Sequence, residues 1–185
     1  MKNSKIDKIA NKLVNAFTNN KIISPIPSKH TKTMKEAEKF RRLCESKVMQ
    51  PIAGFKAAGT GIPVLKKLGE KEPFYASIFK HNILKSGKSV KINPYTLGIE
   101  LEVGYLIKES FFQSKEPINF INIHKHISHM MSAIEVVGYR QKKKGIKSLG
   151  DLCSDFGANV KFVVGKKNRY QKIDFGKLKS SIENK

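Results

Sequence analysis

The sequence predicts an α+β fold, with helices at the amino end and strands through most of the remainder. Ile6, Ile9, Ala10, Leu13, Val14 and Phe17 recur at helical spacing. "TMKE" at 33–36 is a capping box, Thr33 with Glu36, ahead of Ala37, Phe40 and Leu43 on a second helical face. After Pro51 the pattern turns strand-like and culminates in "GIELEVGYLI" at 98–107, where Ile99, Leu101, Val103, Tyr105 and Ile107 recur at every second position with Glu100 and Glu102 between them, the mark of a strand with one face in a core.

The elements follow in order. The first helix ends at Asn19-Asn20, and "SPIPSKH" is a loop before the capped second helix. "IAGFKAAG" reads as a strand. "PVLKKLG" reads as a short helix, with Pro63 early and Gly69 as its stop. "FYASIFKHNIL" and "SVKI" are strand candidates around the turn "KSGK". "INFINIHKHISHMMSA" at 118–133 is predicted helical and leads into the apolar run "AIEVVGY". A basic linker, a loop-helix "SLGDLCSDFGA", a strand "VKFVVG" and a polar tail "KIDFGKLKSSIENK" complete the chain. With 185 residues and no repeat or low-complexity linker, the expectation is one domain: a helical segment over 1–50 and a β-rich core over 51–185.

Composition narrows the classes. Hydrophobic residues make up 39% and charged residues 28%, as in globular proteins. No apolar run approaches the roughly 20 residues that span a membrane. The amino terminus carries no apolar block with a cleavage site, so a secretory signal is not expected. Cys44 and Cys153 form no metal-type spacing, and free thiols in a cytoplasmic protein are the simplest reading. The balance of 36 Lys+Arg against 15 Asp+Glu, net +21, would attract phosphate polymers. The excess is nearly all lysine, spread along the chain and densest in "RQKKKGIK" at 140–147, with no recognisable nucleic-acid-binding motif. A basic nucleic-acid-binding module is therefore a minor alternative.

Several motifs dissolve on inspection. "SGKS" at 86–89 lacks the upstream glycine and the following helix of a phosphate loop. "GTG" at 59–61 lacks a third glycine and reads as a turn. His126 and His129 would share a helical face, but His124 would not, and no carboxylate-histidine signature accompanies them; polar histidines on a partly exposed helix are the better reading.

The carboxylates are harder to dismiss. On a strand, Glu100 and Glu102 project from one face, roughly 6 to 7 Å apart, and repel each other. Alone they would fit a solvated edge. Glu135, however, sits inside an apolar run, where an unpaired carboxylate is costly. Three hard oxygen donors from two elements suit Mg²⁺ or Mn²⁺, and such a cation would remove the repulsion. Lys56, between Gly54 and Gly59, could hold a substrate carboxylate or exchange protons; a surface lysine is the competing reading.

Order and context then add a resemblance. "GFKAAGT", "LGEKEPFYASIF", "GIELEVGYLI", "SAIEVVGYR" and "SDFGANVKFVVG", in that order from about Thr33 to about Gly165, together resemble the 2-keto-4-pentenoate hydratase branch of the fumarylacetoacetate hydrolase superfamily. The resemblance implies that Glu100, Glu102 and Glu135 are metal ligands and that Lys56 is the catalytic lysine. It implies that Arg140, Asp155 and Asn159 bind substrate or support the ligands. It also implies a mixed β-roll core and a homodimer or larger assembly. The reaction implied is addition of water to a 2-hydroxy-2,4-dienoate, giving a 4-hydroxy-2-oxo acid, as in aromatic catabolism. Related members decarboxylate 2-oxo-3-enedioates or cleave acylpyruvates. Gly138-Tyr139 depart from the Asp-Ser common before the arginine, and Phe156 replaces a common asparagine. Members of the family also continue with further glycine-rich strands, so the resemblance implies that the carboxy-terminal strands are missing. An impaired remnant, or one half of a split protein, is the alternative expectation.

Overall fold

The computed structural model describes residues 4–181 and 183; positions 1–3, 182, 184 and 185, at the amino terminus and in the polar tail, lie outside it. Helix α1 spans Lys5–Asn19, begins at Ser4, whose hydroxyl accepts from Asp7 N–H, and ends at Asn20 in the left-handed conformation. Helix α2 spans Met34–Glu45 and starts with the predicted box: Thr33 Oγ1 accepts from Glu36 N–H, and Glu36 Oε2 accepts from Thr33 N–H. The short helix α3, Ile62–Leu68, stops at Gly69, whose φ of 73° suits glycine.

Two sheets follow. Strand β1 (Ile52–Ala58) pairs antiparallel with β2 (Phe74–Phe79). The second sheet is mixed and runs β3-β6-β5-β4, where β3 is Ile83–Lys85, β4 Thr96–Ile107, β5 Ile127–Gly138 and β6 Asn159–Val164; a two-residue strand β7, Asn168–Arg169, also pairs with β5. Only the β3–β6 pairing is parallel among the described strands. Helix α4, Leu149–Ser154, precedes β6.

The helices and the later chain share their buried residues. Ala10, Leu13, Phe40 and Cys44 of α1 and α2 pack with Phe79 and Phe156. A second cluster joins Ala37 of α2 to Leu65, Phe74, Ala76, Leu149 and Cys153. Burial of this kind, at about 25 cal/mol per Å² of apolar surface, fixes α1, α2 and α4 against β2 and sets the platform on which Lys56 stands.

Three expectations are corrected. The segment 118–133 is not a helix: a short 3₁₀ turn covers Ile123–His126, and β5 begins at Ile127. Asn119 Oδ1 accepts from Ile121 and Asn122 N–H, and Asn122 Oδ1 accepts from Asn119 N–H. These turn bonds compete with helix formation, and the long ladder to β4 then overrides local propensity. Thus His126 ends the 3₁₀ turn and His129 lies on a strand. "SVKI" at 89–92 is not a strand either; β3 ends at Lys85, and Gly87 turns the chain away.

The third correction concerns β4. Its alternation is real, but the apolar side does not face a filled core: Ile99 is 48% exposed and Leu101 43%. Strand β4 is a sheet edge, and a tail segment faces part of its apolar side, at Leu101 and Val103. A cleft of about 550 Å³ lies between Leu101, Glu102 and Ile134 on the sheet and Ile173 and Leu178 of that tail. No helix among the described residues is long and apolar enough to cross a membrane.

Candidate metal centre

Register brings the carboxylates together. Glu100 on β4 lies directly opposite Glu135 on β5, and Glu102 lies opposite Ala133, one pleat further along. Like charges facing each other across a ladder destabilise it. Here three share one face: Glu100, Glu102 and Glu135 each offer an oxygen within 4.8 Å of the others. Glu135 is buried at 1% exposure, whereas Glu100 and Glu102 are open. Burial raises the Glu135 carboxyl above the usual carboxylate range, and Lys56 and Asn159 pull it partly back. Burial and the neighbouring Glu100 also raise Glu102, against the pull of Lys56.

Lys56 comes from the other sheet. It sits mid-strand on β1, opposite Ala76 on β2, with its side chain 7% exposed. Its ammonium pairs with Glu135 Oε1 and donates to the Gly157 carbonyl at 3.2 Å. Asn159 Nδ2 donates to the same Glu135 oxygen at 3.4 Å. Among the described residues no donor reaches Glu135 Oε2, so one oxygen of the buried carboxylate stays available.

Arg140 and Asp155 form a separate pair behind this group. Asp155 Oδ1 accepts from Arg140 Nη1 at 3.1 Å, and Oδ2 accepts from Arg140 N–H at 2.9 Å and Gln141 Nε2 at 3.0 Å. The guanidinium lies 4.6 Å from the Phe17 ring centroid on α1. Its burial lowers the Arg140 pKa, and Asp155 counters that. Both side chains are committed to one another, and they tie the end of β5 to the segment that follows α4.

That segment is a left-handed turn. Phe156, Gly157 and Ala158 have φ of 54°, 68° and 55° in succession. Non-glycine residues pay on the order of 1–2 kcal/mol for this conformation. Phe156 is held there by its ring, stacked on Phe17 with centroids 4.0 Å apart. The turn opens at Asp155 and closes at Asn159, so it carries the Arg140 partner, the Lys56 carbonyl acceptor and the Glu135 donor in five residues.

The structure therefore brings Lys56, Glu100, Glu102, Glu135 and Asn159 together, and places Arg140 and Asp155 in an adjoining buried pair. Sequence reading missed Gly157, Gln141 and Phe17. Gly157 carried a faint signal, a glycine just ahead of a strand; Gln141 and Phe17 carried none, because their partners are distant in sequence.

The donor chemistry fits a hard divalent cation. Three carboxylates and one ammonium leave a net charge of −2, partly buried, which one such ion would neutralise.

No family model matches the chain, and neither does any curated protein. Its fold does match solved structures. Two of these are 4-oxalocrotonate decarboxylase from Pseudomonas putida G7, one complexed with calcium and acetate and one with magnesium and adipate. The chain superposes on them with TM-scores of 0.67 and 0.61, at 18% and 17% identity. The architecture is that of these decarboxylases. The match covers 87% of this chain in both cases, but only 61% and 62% of theirs. It therefore spans about three fifths of the length of the enzymes it is similar to.

Proposed function

We propose that the chain carries a divalent-metal centre, Mg²⁺ or Mn²⁺, on Glu100, Glu102 and Glu135, and acts as a lyase on small 2-oxo or 2-hydroxydienoic acids. The convergence of the three carboxylates with Lys56 carries the reading. The fold shared with enzymes solved with calcium or magnesium supports it. Bound there, the cation would supply Lewis acidity toward the carboxylate and 2-oxygen of the substrate.

For hydration of a 2-hydroxy-2,4-dienoate, the enol proton leaves the 2-oxygen and a proton adds at C5, giving the conjugated 2-oxo-3-enoate. Water then adds at C4 and a proton at C3, with no change in oxidation level overall. Lys56, within reach of the carboxylates and shielded from solvent, is the group to move that proton or to orient the substrate carboxylate. Asn159 orients Glu135. Arg140 and Asp155 support the turn that carries Asn159, instead of meeting substrate directly. An acid of this size would approach from the open side of Glu100 and Glu102.

A second reading is loss of CO₂ from a 2-oxo-3-enedioate, in which the C–C bond to the distal carboxylate breaks and a proton takes its place. The decarboxylase identity of the fold neighbours favours it. We also propose a homo-oligomer that covers the apolar side of β4. The test offers the 185-residue chain both substrates with Mg²⁺ or Mn²⁺, following loss of the dienoate chromophore and release of CO₂. Turnover that needs the cation and disappears in Glu102→Gln supports the proposal. Turnover that survives Glu102→Gln unchanged, or no turnover with either class, refutes it.

A further inference from the structure

We infer that Lys56 sets the charge of the ion the site accepts, acting as a fixed counter-ion that leaves room for two positive charges and disfavours three. The inference rests on the metal centre proposed above. Its basis is the way the ammonium is held. Lys56 Nζ has two acceptors, Glu135 Oε1 and the Gly157 carbonyl, and its side chain is 7% exposed. The second acceptor belongs to the left-handed turn 156–158, which is anchored at Asp155 by Arg140 and Gln141. The ammonium is thus fixed independently of any ion. It also uses the same Glu135 oxygen as Asn159, so an ion can take Oε2 without displacing it.

A positive charge held beside the ligands repels every cation that enters, in proportion to the charge of that cation. Removing it should tighten binding, and more so for a trivalent ion. Ca²⁺ and La³⁺ are close in size and both prefer oxygen, so their comparison isolates charge. If the neutral variant gains about tenfold for Ca²⁺, the same electrostatic effect gives La³⁺ about thirtyfold.

The experiment is calorimetric titration of the chain with CaCl₂ and, separately, LaCl₃. Wild type is compared with Lys56→Gln, which keeps an N–H donor without the charge, and with Lys56→Arg, which keeps the charge. Lys56→Met serves as a second neutral variant, and either neutral variant that melts cooperatively decides. The expected result is an affinity gain of about tenfold or more for Ca²⁺ in the neutral variant, a larger gain for La³⁺, and a return toward wild type in Lys56→Arg. Unchanged or weaker Ca²⁺ binding in the neutral variant, or equal gains for the two ions, overturns the inference. If wild type binds Ca²⁺ and Glu100→Gln does not, the metal centre stands whatever Lys56 does. If wild type binds neither ion, the metal centre fails and the inference falls with it.

Discussion

The Lys56 ammonium and the Glu135 carboxylate form an ion pair across the two sheets, with side chains only 7% and 1% exposed. Two charges removed from water are expensive, and a pair of this kind holds only while both partners are present.

Glu135→Leu is therefore expected to cost about 3 kcal/mol or more, because it leaves a buried ammonium with the Gly157 carbonyl as its remaining hydrogen-bond partner. The double variant Lys56→Met/Glu135→Leu is expected to recover most of that loss, since apolar groups need no partner. Urea unfolding of the four chains of the cycle measures both. Additive losses in the double variant would show that the pair is not coupled.

Metal binding is expected to show in the melting temperature. A cation that binds only the folded chain stabilises it by roughly 2.7 kcal/mol at a hundred times its dissociation constant. Millimolar Mg²⁺ should raise the wild-type midpoint and leave that of Glu100→Gln unmoved. Glu100 is exposed and faces Glu135 directly, so its replacement removes a proposed ligand without opening the core. A cooperative melt that ignores Mg²⁺ in both chains would mean the carboxylates hold no ion.

Much of this arrangement was legible in the sequence, for identifiable reasons. Period-two alternation placed Glu100 and Glu102 on one face, and an acid within an apolar run marked Glu135 as buried. Capping chemistry located α2 and the stop of α3, because those signals are local. What depended on distant pairing was not legible. The segment before Ile134 has a helical pattern, yet its partner across the ladder is β4, so tertiary pairing decided its state. The apolar side of β4 pointed to a buried face, but alternation says only which residues share a side, not what covers them. Arg140 read as a site residue from its motif; the structure adds the stack on Phe17 and the grip on Asp155, which no local pattern encodes.

His81 gives a pH dependence of stability. Both ring nitrogens are buried without a hydrogen-bond partner among the described residues, and the ring lies edge-on to Phe17 with centroids 5.2 Å apart. Burial lowers its pKa below the ordinary 6.5, and Lys161 and Arg140 add repulsion. The unfolded chain thus takes up this proton first, so the contribution of His81 is intact above about pH 6.5 and is lost as pH falls below it. Glu135, whose pKa is raised, acts in the opposite sense. The informative quantity is therefore the difference between wild type and His81→Phe, which keeps an aromatic ring in the cluster. The wild-type midpoint should fall more than that of the variant between about pH 7.5 and 5.5. Parallel curves would show that His81 is not the group responsible.

Gly157 and Gly145 separate conformation from contact. Both have a φ of 68°, so alanine at either position pays for a left-handed backbone, on the order of 1–2 kcal/mol. Beyond that they differ. A Cβ at Gly145 meets nothing within 4 Å, whereas one at Gly157 would lie 2.8 Å from Ala76 Cβ on β2. That methyl cannot rotate away, so β2 or the turn must shift, at a further cost of about 1–3 kcal/mol. Gly145→Ala is expected to lose about 1–2 kcal/mol, and Gly157→Ala about 2–5 kcal/mol, in denaturant unfolding. The shift should also move the carbonyl away from Lys56, so Gly157→Ala alone should alter Mg²⁺ affinity. Equal losses and equal affinities in the two variants would mean that the turn is not packed against β2 as tightly as the Gly157–Ala76 approach requires.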